Sequence, residues 1–375
     1  MTATDGRWRS VAAPGTDPDL LAAVVRRLRD VGPATLAREA RDHAASAGGD
    51  PPATVLRRVV PPVLPTGERD DEVAGTWAGL GVRVALVGDP GFPARLAVGW
   101  PGTGGPPLLA VRGSLAPHDG PAVAIVGARR ATSYGTGVAA WLAESAAAAG
   151  AVVVSGGAVG IDAAAHGAAA DHGTVVVLGC GHDVAYPRPH TVAGGLFERV
   201  LAGGGALVSE HLPGAAPVAG HVRARNRIVA GLADVVVVVE GGPRSGALVT
   251  AGYAADAGVP VLAVPGDVRR PGSAAPHLLL REGAEPCTSP DDLLAALSLA
   301  APVGPDGAAP AVSTTLPPAV HRVLAGAWPR PLRLDALAEQ AEVPAARLLA
   351  LVTRARVAGE VAEGADGIRL TRAPR

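Results

Sequence analysis

Short runs of aliphatic residues recur through the middle of the chain at 122–126, 151–155, 174–178, 206–209, 234–239 and 260–264, alternating with alanine-rich stretches of helical composition. Runs that are apolar at every position, rather than at every second one, need cover on both faces, as strands of a parallel sheet do. The pattern therefore predicts an α/β fold, a Rossmann-like, mostly parallel sheet with helices on both faces. Upstream, Asp17 to His43 carries Leu20, Leu21, Val24, Val25 and Leu28 at helical spacing, ahead of the turn VGPATLARE at 31–39. The stretch 51–121 is dense in Pro and Gly and reads as an irregular connector, with one short strand and turn in GVRVALVGDPGFPARLAV at 81–98.

After the last valine run, APVGPDGAAPAVSTT at 301–315 has linker composition. Beyond it PAVHRVLAGA, LRLDALAEQA and VPAARLLALVTRARVAGEV predict three helices closed by a small β-wing, a winged-helix-like arrangement. The expected organisation is a small N-terminal helical module (helix-hairpin-helix or SAM-like) at 1–60, a Rossmann-like domain at 80–300, the linker at 301–315 and the winged-helix-like module at 316–375. A chain of 375 residues exceeds what one hydrophobic core usually organises, which agrees with this division.

Charge narrows the function classes. Lys+Arg 33 nearly balance Asp+Glu 34, so any nucleic-acid site has to be a local patch rather than a global field. All the basic residues are arginine, within an Ala-, Gly-, Pro- and Val-rich composition typical of a GC-rich genome. Without lysine there is neither a Schiff base nor a P-loop lysine, whereas arginine, permanently charged, forks onto phosphate. Cys180 and Cys287 show no Cys-x-x-Cys spacing and no histidine pair at ligand intervals, so neither a disulfide scaffold nor a metal centre is expected. The opening MTATDGRWRSVAAPG lacks the apolar run of a signal peptide, and no apolar stretch reaches the ~20 residues of a membrane span. The expectation is a soluble, cytoplasmic protein without a cofactor.

Ligands of open α/β sheets bind beyond the carboxyl ends of the strands, so the loops after the valine runs carry the candidate chemistry. In VAIVGARRATSYG at 123–135, Gly127 allows a tight turn, Arg129 and Arg130 project charge, and Ser133 can cap the next helix. In VVVSGGAVGIDAAAH at 152–166, Ser155, Gly156, Gly157 and Gly160 let phosphate approach main-chain amides, in an order unlike the dinucleotide G-x-G-x-x-G. VVVLGCGHDVAYPRPH at 175–190 places Tyr186, Pro187 and Arg188 in a rigid loop. In LVSEHLPGAAPVAGHVRARNRIVAGLADVVVVVE at 207–240, Arg223, Arg225 and Arg227 with Asn226 mark a defined helix start and suggest a phosphate grip. GGPRSGALVTAGYAADAG at 241–258 adds Ser245, Gly246 and Thr250 at a further helix entrance, where capping alone would also explain Ser245.

Blander readings stand beside these. The Val-Gly-Pro turn could hold phosphate on its amides, but a helical hairpin that only packs is the favoured reading. Asp162 and His166, four apart, could form an acid-base pair, though such a pair more often caps or packs a helix turn. Cys180 with His182 would need a lowered thiol pKa to act as a nucleophile, and a thiol after a buried strand is expected to be inert. A Rossmann enzyme such as a phosphoribohydrolase would need a positioned carboxylate, for which Glu210 and Glu240 at strand ends are the candidates. A purely structural scaffold would leave the arginine loops unexplained.

The ordered set VGARRATSYG, SGGAVGIDAAAH, LGCGHDVAYPRP, SEHLPG, RARNRIVAGLADVVVVVE, SGALVTA and VPGDV resembles the DNA-processing A (DprA/Smf) family over roughly residues 84 to 290. The resemblance implies a non-catalytic, cytoplasmic protein that coats incoming single-stranded DNA, dimerises through its Rossmann-like domain, and helps load RecA during natural transformation. It implies phosphate contacts at Arg129 and at Arg188, which replaces a lysine frequent in that loop, with the RARNR arginines lining the same pocket. Val222 and Arg223 depart from the family's Phe-Pro, and Ala275, Pro276 and His277 from its Gly-x-Asn pattern. Aromatic residues make up only 3% of the chain, which leaves Tyr134, Tyr186 and Phe197 as stacking candidates and makes arginine-phosphate contacts the expected main source of affinity. In the C-terminal module Arg347, Arg354 and Arg356 could meet duplex DNA, or the module could serve protein contacts.

Overall fold

The computed structural model describes residues 4–47, 50–60, 68–97, 105–115 and 120–299, and beyond them 318–327, 330–341, 343, 348, 351–352, 356, 361–364 and 367–370. The chain divides into two compact units, Met1–Ala301 and Pro302–Arg375.

The first unit begins with helices α1 (Thr4–Val11), α2 (Pro18–Ala47), α3 (Pro52–Val59) and α4 (Glu68–Gly79). α2 is broken at Gly32 (φ 76°), immediately before Pro33. Arg27 reaches Glu39 with a 2.6 Å hydrogen bond, although a straight helix would separate these residues by about 18 Å. The segment is therefore a helical hairpin, and Leu21, Val24, Val25 and Leu36 are buried in the core.

Strands β1 (Val82–Leu86) and β2 (Leu108–Gly113), with the short helix α5 (Ala94–Ala97) between them, pair with each other antiparallel, and β2 pairs antiparallel with β6 (Ala206–Ser209). The expected irregular connector at 51–121 thus contains three helices, α3, α4 and α5, and two sheet strands. Periodicity missed β2 because the partner that covers its second edge lies almost a hundred residues away.

The valine runs form the predicted parallel sheet, β3 (Ala122–Val126), β4 (Val152–Ser155), β5 (Thr174–Val177), β6, β7 (Val235–Val238) and β8 (Val261–Ala263), to which the short β9 (Glu285–Pro286), outside those runs, adds an edge. Between them lie α6 (Ser133–Ala148), α7 (Ile161–Ala169), α8 (Arg188–Thr191), α9 (Leu196–Ala202), α10 (Ala219–Ala224), α11 (Asn226–Gly231), α12 (Gly246–Asp256), α13 (Ala274–Arg281) and, after β9, α14 (Pro290–Leu299). Alternation along β3 explains the helices on both faces. Ala122, Ala124 and Val126 join a core with the N-terminal helices, α11 and α12, while Val123 and Ile125 join another with α6, α7 and α14.

The sheet order is β1-β2-β6-β5-β4-β3-β7-β8-β9. From β3 the chain moves one way through β4, β5 and β6, then returns to lay β7 on the other side of β3. The loops leaving β3 and β7 consequently part in opposite directions and open a crevice at the carboxyl edge of the sheet.

The second unit contains α15 (Pro318–Ala327), α16 (Leu334–Gln340) and the hairpin β10 (Val361–Gly364) with β11 (Gly367–Leu370), around a core of Val320, Leu324, Leu337, Leu348, Val352, Val361 and Ile368. The linker 301–315, Arg347 and Arg354 lie outside the described residues, and Arg356 is exposed. No helix among the described residues is long and apolar enough to cross a membrane.

Candidate functional site

The crevice at the switch point is a cleft of about 800 Å³. One wall is the loop after β3, from Val126 to Arg130, and the opposite wall is the loop after β7, from Gly242 to Gly246 with the first turns of α12. Ala158 and Asp162 close it on the β4 side, and Tyr186, Pro217 and Ala219 with Val222, Arg223, Arg225 and Asn226 form the rest of the lining. Five arginines thus converge on one hollow: Arg129, Arg130, Arg223, Arg225 and Arg244. The amino end of α12, where Ser245 Oγ accepts from the Ala247 N–H at 3.2 Å, adds its helix dipole to the same field.

Arg225 is the buried member of this set. At the end of α10, it is only 6% exposed. Its Nη2 donates to the Gly156 carbonyl at 2.8 Å and lies 4.0 Å from Asp162 Oδ2, while its Nε has no hydrogen-bond partner among the described residues. Gly156 has to be glycine for this: a Cβ there would fall 1.6 Å from the guanidinium. Burial pushes the Asp162 carboxyl above its ordinary value, against the pull of Arg225 and of the Ala158 N–H, which donates to it at 3.3 Å. Burial likewise lowers the Arg225 pKa, and Asp162 opposes that. The floor of the cleft is therefore a desolvated cation whose countercharge is offset to one side, so its positive field is weakly screened where an anion would enter.

Gly127 lets the two walls meet, since a Cβ there would lie 2.6 Å from Ile161 and 2.8 Å from the Glu240 carbonyl. Arg129 and Arg130 are exposed, and Arg129 donates to the Tyr186 hydroxyl at 3.2 Å, which sets that ring at the rim. Asn226 is buried and donates from Nδ2 to the Gly246 carbonyl at 3.1 Å, tying α11 to the entrance of α12.

Of the residues expected from the sequence, Gly127, Arg129, Arg225, Asn226, Ser245 and Gly246 meet at the cleft, and Ser155, Gly156, Gly157, Arg188 and Arg227 are not part of its lining. Ser155 is fully buried and donates to the Ile125 carbonyl at 2.6 Å. Gly157 (φ 66°) turns under Val176 and Phe197. Arg188 is exposed at the start of α8. Arg227 forms a two-pronged ion pair with Glu210, Nη1 to Oε1 at 2.6 Å and Nη2 to Oε2. Phe197 is buried edge-on to His190 and cannot offer a face to a base. Arg244 had no place among the expected residues. It lies in the β7 loop one residue before the α12 cap, where the switch-point rule itself directs attention.

The blander readings divide. His166 is fully buried beside Thr174, with Nδ1 2.9 Å from the hydroxyl, and burial lowers its pKa to about 3, so it is neutral. Asp162, expected to be structural with it, reaches the cleft instead. The α6 cap is Thr132 rather than Ser133: its hydroxyl accepts from the Gly135 N–H at 3.1 Å and donates to Glu240 Oε1 at 2.5 Å. Glu240 Oε2 accepts from the Thr132 N–H at 2.9 Å. Both carboxylates considered for hydrolysis are thereby committed, Glu240 to a helix cap and Glu210 to Arg227. Cys180 is buried, which pushes its thiol up to about 11, and His182 bonds the Ala110 carbonyl through Nε2 at 3.0 Å, its pKa lowered by burial to about 4. Since the thiolate is the reactive form, iodoacetamide at pH 7.5 is expected to label Cys180 in the folded protein far more slowly than a free thiol. Labelling at the free-thiol rate, read by mass spectrometry, would contradict that.

Comparison with known proteins gives a consistent set. The family model of DNA recombination-mediator protein A matches residues 83–298. The chain is 36% identical over 278 residues to Protein Smf of Escherichia coli, covering 72% of this chain and 73% of that protein. It is 49% identical over 175 residues to a putative DNA processing protein DprA of Mycobacterium tuberculosis, where the match spans 46% of this chain and only 44% of the relative. The X-ray structure of DNA processing protein A from Streptococcus pneumoniae superposes with a TM-score of 0.54 at 30% identity, over 78% of this chain and 96% of that one. DNA processing protein A from Helicobacter pylori, whose structure was described for its single-stranded DNA binding mode, gives a TM-score of 0.50 at 29% identity, over 56% and 94%.

Proposed function

We propose that this chain, which belongs to the DNA-processing A (DprA/Smf) family, binds single-stranded DNA without turnover, gripping backbone phosphates in the arginine cleft. The observation that carries the reading is the convergence of five arginines on one hollow, with buried Arg225 at its floor and the entrance of α12 beside it. Such a site contacts phosphate oxygens rather than base edges, so it binds many sequences alike. The single-stranded DNA binding described for the Helicobacter pylori relative supports the ligand class. From the family resemblance follow the finer parts of the proposal: a cytoplasmic homodimer that protects incoming strands and hands them to RecA in recombination. Arg188, exposed at α8, is proposed as a contact beyond the cleft.

The test is fluorescence anisotropy of labelled oligo-dT across a salt series. Binding is expected to weaken steeply with salt, and Arg129→Ala, Arg223→Ala and Arg244→Ala are each expected to weaken it. Each is also expected to flatten the slope of log K against log salt by about 0.7 for every phosphate that the variant no longer neutralises. Salt-insensitive binding, or slopes unchanged in all three variants, would defeat the phosphate grip. Incubation with nucleoside monophosphates is expected to release no base, and release would revive a hydrolase.

A further inference from the structure

The outer face of α6 carries two of the chain's few aromatic residues in the open: Tyr134 is 52% and Trp141 48% exposed. Seven residues separate them, which is about 10.5 Å along a helix axis and within about 20° of the same angular position. Each ring leaves about half of its surface in water, while the opposite side of the helix is packed into the core, so both rings offer a face for contact.

This face is continuous with the cleft. The Tyr134 hydroxyl donates to the Pro265 carbonyl at 2.8 Å, fixing α6 to the loop after β8. The same loop is tied to the cleft wall, because the Gly241 N–H donates to the Gly272 carbonyl at 2.6 Å and the Ala275 N–H to the Gly241 carbonyl at 2.8 Å. Along it stand Val268, 83% exposed, the exposed Arg270, and Arg269, whose guanidinium is 3.0 Å from Asp267. Arg130, a cleft residue, comes four positions before Tyr134. The first acidic side chain on α6 is Glu144, exposed one turn past Trp141.

We propose that single-stranded DNA leaving the arginine cleft crosses the 265–272 loop and runs along α6, its bases stacking on Tyr134 and Trp141. The proposal rests on the reading of the cleft as a single-strand site and extends it by a second, aromatic segment. Arginines beside isolated aromatic rings suit a polyanion with π-faces, the combination that binds single strands without sequence preference. A protein partner would call for a contiguous apolar patch, whereas the helix neighbours of Trp141 are Gly137, Glu144, Ser145 and Val138, the last partly buried against the core. Glu144 repels a phosphate backbone and marks where the track ends.

The experiment compares oligo-dT of about six nucleotides, enough for the cleft alone, with one of about twenty, within and beyond the site sizes of single-strand binders. Trp141→Ala is expected to weaken the long oligonucleotide about tenfold, in the range of one base–aromatic stack, and to leave the short one unchanged. Trp141→Phe is expected to keep most of the long-oligonucleotide affinity. Tryptophan emission of the unsubstituted protein is expected to be quenched by the long oligonucleotide only, and Trp141→Phe to abolish that quenching. Equal affinity of Trp141→Ala and the unsubstituted protein for the long oligonucleotide would overturn the track while leaving the cleft intact. Failure of the unsubstituted protein to bind either length would overturn the cleft reading itself.

Discussion

Replacing Arg225 by alanine is expected to weaken oligo-dT binding by about 10- to 100-fold, the range of one charged hydrogen bond at ~1.5–3 kcal/mol, and to destabilise the fold at the same time. The two effects have separate origins. The guanidinium is the cleft's buried cation, and its removal takes away a weakly screened positive charge from the phosphate site. It is also the charge 4.0 Å from Asp162, itself buried, and removing it strands that carboxyl at a cost on the order of 3 kcal/mol. A buried carboxyl can escape by taking a proton, so the stability deficit is expected to be larger at pH 8 than at pH 5. Asp162→Asn in the Arg225→Ala background is then expected to restore most of the thermal stability and none of the DNA affinity. Asp162→Asn alone removes the one acidic group of the lining and is expected to leave DNA affinity equal or severalfold tighter. Recovery of binding in the double variant would make Arg225 a structural residue only. These outcomes are read from melting curves and anisotropy on the same four proteins.

The parallel sheet was legible because β3, β7 and β8 are apolar at every position and β4, β5 and β6 at all but one, and the loops were legible because that sheet type places ligands at one edge. Residues that act on one another across the sheet were not legible. Arg225 and Arg227 stand two apart in the same RARNR segment, yet one turns into the cleft against Gly156 and the other away from it onto Glu210. Nothing local distinguishes them, because the choice is made by a glycine carbonyl and a carboxylate from other strands. Ser155 and Gly157 sit in a glycine-rich loop suited to phosphate, but the hydroxyl satisfies the Ile125 carbonyl and the backbone turns beneath Phe197. Arg244 failed to stand out in sequence because one arginine between Pro243 and Ser245 looks like any charged turn. Its significance comes from strand order, which places the β7 loop opposite the β3 loop.

Arg227→Ala is expected to be the most destabilising of the arginine substitutions while barely changing DNA affinity. The Arg227–Glu210 pair is two-pronged and largely buried, with side-chain exposures of 17% and 3%. Deleting the guanidinium leaves a carboxylate without its partner inside the protein, which costs roughly 3–5 kcal/mol. Burial alone would raise the Glu210 pKa, but the hydrogen-bonded Arg227 overrides it and holds the carboxyl below its usual range. A carboxyl whose pKa is depressed by folding contributes stability above its unfolded pKa and loses it as pH falls through the folded value. The gap in melting temperature between Arg227→Ala and the unsubstituted protein is therefore expected to be widest near neutrality and to narrow in acid, where both forms of Glu210 are protonated. Replacing both partners together, Glu210→Leu with Arg227→Met, is expected to recover much of the loss, since an apolar pair of similar volume needs no compensating charge. Anisotropy well below the melting temperature is expected to show oligo-dT affinity within about twofold of the unsubstituted protein, because Arg227 contributes nothing to the lining of the cleft. A fall in affinity with an unchanged melting temperature would return Arg227 to the phosphate grip that the RARNR sequence suggests.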